Sequence, residues 1–333
     1  MSAARKSSPR KNFPTMNRSR KYIMMAVALI CFTACQNQMV PLDYTATVET
    51  GDSIESRYLK SGPYEVDSLQ YIMNDTILKA ITVYFPHELK SSNAKKYPAV
   101  VFANGSGVEA SKYIALFHHL ASWGFVAIGN EDPSSGNGVS SELTLSYLLD
   151  ANNDTTSIFF GHVDVENIGI TGHSQGGAAV FNAITQQEHG HVYKTAVALS
   201  PTHEELANNL NWHYSTSDVR TPVFMLAGTE GDFELKIVIP FSEMQKMYNR
   251  INAPKVMARR KGTEHGQMLY SADGYVTAWL MWQLNNDSCA AKAFTGRHPT
   301  LKDNKLYQNV QIHYEQAKVS NNPNKPGYPT SFK

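Results

Sequence analysis

From residue 98 to residue 286 the chain alternates short apolar runs with stretches of helical period, and this restricts the fold more than any other feature. PAVVFANGSG, FVAIG, NIGITGH, TAVALSP, TPVFMLAG and KVMARRKG read as strands. A short continuous apolar run closed by glycine reads as a strand buried on both faces, as in parallel sheets. Between these runs lie helical segments, among them SKYIALFHHLASWG, where Ile114, Phe117, Leu120 and Ala121 share one face and Gly124 is the stop. SSELTLSYLLDAN, SQGGAAVFNAIT, SEMQKMYNR and GYVTAWLMWQLN are the others. Two strand-like runs, YEVDSLQYIM and KAITVYFP, precede the alternation. The expectation is an α/β fold, with a mostly parallel central sheet and helices on both faces.

One strand–turn–helix unit carries chemistry. NIGITGHSQGGAAVF contains Gly172-His173-Ser174-Gln175-Gly176, a G-x-S-x-G. A serine at the apex of a tight strand-to-helix turn has strained dihedrals, and side chains beside it would meet neighbouring backbone. Such a turn also aims the helix N-terminus at the reacting carbonyl. A serine hydroxyl needs a base, itself oriented by a carboxylate, each in a loop after a later strand. PVFMLAG ends in Thr229-Glu230-Gly231-Asp232, and KVMARRKG ends in Gly262-Thr263-Glu264-His265-Gly266. Both loops lie at strand C-termini, where open α/β sheets place their sites. His265 is the expected base. Asp232 is the expected acid, with Glu230 as its rival, and Glu264 is read as solvated. His203 and His213 precede the acid strand, and His118 and His119 sit in the first helix, so these four read as surface or structural.

Oxyanion donors are expected from the backbone N–H groups of Gln175 and of Ser106, in the loop Asn104-Gly105-Ser106-Gly107. That loop lacks the spacing and the Lys-Ser/Thr ending of a phosphate loop. His203-Glu204 opens like a zinc motif, but Ala207 stands where the second histidine is needed. No metal and no organic cofactor is expected.

The N-terminus reads as an address. Residues 1–34 hold seven basic side chains and no acidic one, leaving 23 basic against 29 acidic beyond them, a net of −6. That balance lacks the basic footprint of a nucleic-acid binder. The apolar run YIMMAVALICFTA is 13 residues long, short of the ~20 a spanning helix needs, but it fits a signal-peptide core. Its ending, Phe32-Thr33-Ala34-Cys35, resembles a bacterial lipoprotein signal, with Phe32 where Leu is usual. By that resemblance residues 1–34 are removed, Cys35 is lipidated, and Gln36 after it favours the outer membrane. The plainer reading is secretory cleavage after Ala34. Removal of Cys31 and lipidation of Cys35 would leave Cys289 alone, so no disulfide is expected. The expected division is signal 1–34, a polar tether 35–60, the main domain 61–298 and an irregular polar tail 299–333.

From about Gly62 to Asp287 the sequence resembles the α/β-hydrolase branch that includes cutinases and bacterial poly(ethylene terephthalate) hydrolases, close to dienelactone hydrolases. GPYEV, VYFP, LASWGFVAIG, VDVENIGITGHSQGG and VTAWLMWQLNND carry the resemblance. It implies the α/β-hydrolase fold, with Ser174 as nucleophile, Asp232 as acid, His265 as base, and Ser106 with Gln175 as the oxyanion pair. Three departures concern substrate. Ser106 stands where polyester hydrolases carry an aromatic residue, Pro201-Thr202 replaces a Pro-Trp pair, and His173 precedes the serine in place of an aromatic residue or Met. The usual C-terminal disulfide is also absent. His173 and Thr202 are therefore substrate-pocket candidates. The expectation is a lipid-anchored serine carboxylesterase acting on small or polymeric extracytoplasmic esters, with preference for short, flexible acyl groups. A polyester hydrolase or lipase with the same catalytic residues is one alternative. A non-catalytic ligand-binding lipoprotein on a hydrolase scaffold is the other.

Overall fold

The computed structural model describes residues 40–91 and 95–314. Cys35 and the expected signal lie outside the described residues. Nine strands form one sheet in the order β1-β2-β4-β3-β5-β6-β7-β8-β9. They are β1 (Val66–Ile72), β2 (Ala80–Pro86), β3 (Tyr97–Ala103), β4 (Val126–Asn130), β5 (Val163–His173), β6 (Tyr193–Leu199), β7 (Val223–Ala227), β8 (Lys255–Arg260) and β9 (Tyr307–His313). The six strands β4, β3, β5, β6, β7 and β8 are parallel, as the alternation requires. Antiparallel pairs close both edges, β1 with β2 and β2 with β4 on one side, β8 with β9 on the other.

Side chains alternate across a strand, so one apolar run feeds two cores. In β3, Ala99, Val101 and Ala103 join the core under helices Val139–Asn153, Gln175–Gln186 and Phe241–Arg250. Val100 and Phe102 join the opposite core, under Ile114–Ser122 and Asp273–Asn285. Every residue of β3, β4 and β7 is buried. The sheet is thus covered on both faces, and its C-terminal edge presents the loops of the site.

Two segments depart from the expected division. Residues 40–60, within the expected tether, are folded. Helices Tyr44–Thr47 and Ser53–Leu59 bury Tyr44, Ile54, Tyr58 and Leu59. Asp52 caps the second helix by accepting from the N–H groups of Ile54 and Glu55, at 2.7 and 3.0 Å. Tyr44 and Tyr58 donate hydroxyls to Asp273 and Asp287 at 2.5 and 2.6 Å. Buried Glu55 meets Arg260 at 2.9 Å. Helices of four and seven residues are too short to display an apolar period, and their anchors are tyrosines and a carboxylate. The polar tail is likewise partly regular, with a helix at Thr300–Asp303 and the edge strand β9. An edge strand faces solvent along one side, so its polar composition hides it.

Candidate active site

Ser174 stands between β5 and the helix Gln175–Gln186, with φ 62° and ψ −119°. That is a strained backbone for a non-glycine residue. The flanking glycines make it attainable. A Cβ on Gly172 would lie 2.4 Å from the carbonyl oxygen of Gly176, and one on Gly176 would lie 2.1 Å from that of Ala103. Backbone bonds hold the elbow from several sides. Ser174 N–H donates to Leu199 at 2.9 Å, and its carbonyl accepts from Gly177 at 3.0 Å and Thr202 at 3.1 Å.

His265 follows β8 and reaches back to the elbow. The Ser174 hydroxyl lies 2.9 Å from Nε2 of His265, and the opposite nitrogen, Nδ1, lies 2.7 Å from Oε2 of Glu234. A carboxylate only accepts, so Nδ1 carries the proton and Nε2 is free to accept from the serine. All three side chains are buried, Glu234 completely. Its second oxygen, Oε1, accepts from Ser200 Oγ at 2.7 Å and from Gly228 N–H at 2.6 Å. The carboxylate therefore cannot rotate without losing three bonds.

Glu234, and not Asp232, faces the imidazole. The side chain of Asp232 is 81% exposed and pairs with Lys236 at 2.8 Å. The rival Glu230 is exposed, and so is Glu264. The reason lies in the local backbone. After β7 the chain runs through Gly231 at φ 78° into a π-helical turn, Phe233–Val238. That turn carries Asp232 outward and aims Glu234 under the sheet edge. Ser200, which carries no motif in the sequence, completes the carboxylate's surroundings. It follows β6 at φ 38°, fully buried, with its hydroxyl on Glu234.

The loop expected to supply the second oxyanion donor is fixed by Asn104. The Asn104 amide donates to the carbonyls of Asn130 and Asp132, both at 2.8 Å. Tyr113 donates its hydroxyl to the Asn104 side chain, and Ser135 donates to its carbonyl. Ser106, next but one, is buried, as is Gln175 on the other side of the nucleophile elbow.

Both pocket candidates are tied into the elbow and its neighbours. Thr202 is buried, binds the Ser174 carbonyl through its N–H, and accepts the Tyr214 hydroxyl at 2.8 Å. His173 is buried and donates from Nε2 to the backbone carbonyl of His265 at 2.7 Å. An aromatic ring does stand at the site, since Phe233 meets the His265 ring edge-on, centroids 4.9 Å apart. His119, read as structural, is buried 2.6 Å from Asp273, while His118 and His213 are exposed. His203 caps the helix Glu204–Asn209. Among the described residues no group of three or more His, Cys, Asp or Glu side chains is arranged to hold a metal.

A serine, an imidazole and a carboxylate in series, with backbone N–H groups at a helix start, can form and break an acyl bond. No curated protein matches the chain. A family model described as PETase, PET hydrolase-like, matches residues 47–308, running past both ends of the stretch 61–298. The chain belongs to this PET hydrolase-like family of the α/β-hydrolase superfamily, and it is an ester-hydrolysing enzyme.

Proposed function

We propose that the protein is a serine carboxylesterase that works through an acyl-enzyme, with Ser174 as nucleophile, His265 as base and Glu234 as the acid that orients it. The observation that carries this is the continuous relay from Ser174 Oγ through His265 to Glu234, with contacts of 2.9 and 2.7 Å. As Ser174 Oγ attacks the ester carbonyl carbon, its proton passes to Nε2 of His265. The carbonyl oxygen becomes an oxyanion, received by the N–H groups of Gln175 and Ser106. Collapse breaks the bond to the alcohol, which leaves with the proton from His265. Water then attacks the acyl-serine by the same route and releases the acid.

The substrate reading favours short, flexible acyl esters. It rests on Ser106 and Thr202, small residues where polyester hydrolases carry aromatic ones. Each lost aromatic contact is worth ~0.5–1.5 kcal/mol, so two amount to roughly 5- to 150-fold in kcat/KM. Aromatic polyester hydrolysis is the second reading, favoured by the family and by Phe233 beside His265. The N-terminal run ending at Cys35 supports export and a lipid anchor, which would hold the enzyme outside the cytoplasm. The test is hydrolysis of p-nitrophenyl butyrate against release of terephthalate products from an amorphous film at equal enzyme concentration. Faster soluble-ester turnover, lost by at least ~1,000-fold in Ser174→Ala, is expected. Film turnover equal to that of a dedicated polyester hydrolase would overturn the substrate reading alone. Retention of more than about a tenth of activity by Ser174→Ala would overturn the mechanism.

A further inference from the structure

We propose that His173 is a positioning residue for the hydrolysis, tying the loop of the base to the nucleophile elbow through a side-chain bond to the backbone of His265. This rests on the reading of Ser174 as nucleophile and His265 as base. His173 is the residue before Ser174 and is 4% exposed, and its Nε2 lies 2.7 Å from the His265 carbonyl oxygen. The two imidazole rings pack at 4.5 Å between centroids, inclined by 39°.

The direction of the bond follows from chemistry. A carbonyl only accepts, so the proton sits on Nε2 of His173. Burial first, and then the neighbouring His265, push the pKa of His173 well down, outweighing its bond to the carbonyl. It therefore carries one proton and leaves Nδ1 bare. Nδ1 lies 3.9 Å from where a side-chain carbon on Gly105 would stand, and both residues line one cavity.

The bond does what the relay itself cannot. His265 touches Ser174 and Glu234 through its ring, and a ring can pivot about its side-chain torsions while its loop drifts. The loop follows Gly262, at φ 67°, and is exposed at Lys261, Gly262 and Glu264. A backbone-level tie to the residue covalently joined to Ser174 fixes the loop against the nucleophile. A misplacement of about 1 Å can cost on the order of 100-fold in rate, so such a tie acts on kcat and not on substrate affinity.

The test uses His173→Phe, which keeps a ring and removes the donor, and His173→Gln, whose amide nitrogen restores a donor at similar reach. Both are assayed on p-nitrophenyl butyrate beside Ser174→Ala. Phe is expected to lower kcat by about 10- to 100-fold with KM within about 2-fold, and Gln to recover to within about 5-fold of wild type. A folded Phe variant with wild-type kcat, or a Gln variant no better than Phe, would overturn the proposal. If Ser174→Ala is inactive in that case, the nucleophile assignment survives and only the role of His173 falls. Should the Phe variant fail to fold, histidine nitrogen NMR of the wild-type protein decides. His173 is expected to hold its proton on Nε2 and not to titrate in the ordinary imidazole range. Titration in that range, or a proton on Nδ1, would overturn the assignment.

Discussion

Replacing Glu234 by Gln changes one atom of the relay and tests its logic most sharply. Oε1 accepts from two donors, Ser200 Oγ and Gly228 N–H, whereas among the described residues Oε2 accepts from His265 alone. The amide oxygen of Gln will take the two-donor position, and the NH2 group will face Nδ1 of His265. Two donors cannot share that contact, so the imidazole moves its proton to Nε2 and loses the lone pair that accepts from Ser174. The imidazolium formed during attack also loses its counter-charge. At about 4 Å between charge centres and an effective dielectric of about 20, that attraction is about 4 kcal/mol, near 1,000-fold in rate. With the tautomer penalty, the loss in kcat should be about 1,000- to 10,000-fold. Asp232→Asn, on an exposed side chain, should stay within about 2-fold. The assay is kcat on p-nitrophenyl butyrate at neutral pH, with thermal unfolding to show that each variant is folded. A folded Glu234→Gln within tenfold of wild type, or a comparable fall in Asp232→Asn, would refute the reasoning.

Gly176→Ala should destabilise the fold by about 3 kcal/mol or more, because the added carbon would sit 2.1 Å from the Ala103 carbonyl oxygen; urea unfolding reads it. His119 gives a pH dependence of known sign. Burial works to lower its pKa, but Asp273 and the carbonyls of Lys60 and Leu59 outweigh burial and raise it. Its contribution to stability is therefore complete below about pH 6.5 and is lost as pH rises through the raised value. Urea midpoints should fall as pH rises above about 6.5 in wild type, and the His119-linked part of the fall should vanish in Asp273→Asn. Cys35→Ser should move the protein from the membrane fraction to the soluble one and remove the lipid mass. Unchanged partitioning and mass would leave ordinary secretion.

The serine and the imidazole that meet in the structure were legible because each is announced locally. Gly172 to Gly176 is one turn with one steric solution, and His265 closes a loop at the right strand end. The acid was not, because three carboxylates, Glu230, Asp232 and Glu234, lie within five residues of chain. Which of them turns inward depends on the π-helical turn, which leaves no signature in the spacing of charges. A usable signal was present. Glu234 stands in FELKIVIP between apolar neighbours, where a carboxylate is tolerated only if its oxygens are taken up. The central strands were readable from burial on both faces, whereas β9 was hidden by its exposed side. The helices within 44–59 were hidden by their brevity. The sequence cannot reveal that the His173 nitrogen faces the backbone of a residue 92 positions away.

The most direct measurement is the site of covalent capture by a stoichiometric fluorophosphonate, a reagent that reacts preferentially with an activated serine. Intact mass and peptide mapping should give one adduct per chain, on Ser174, with ester hydrolysis lost in proportion to labelling, and no adduct in Ser174→Ala or Glu234→Gln at the same exposure. Capture at another serine, or full labelling of Ser174 with ester hydrolysis intact, would contradict the account.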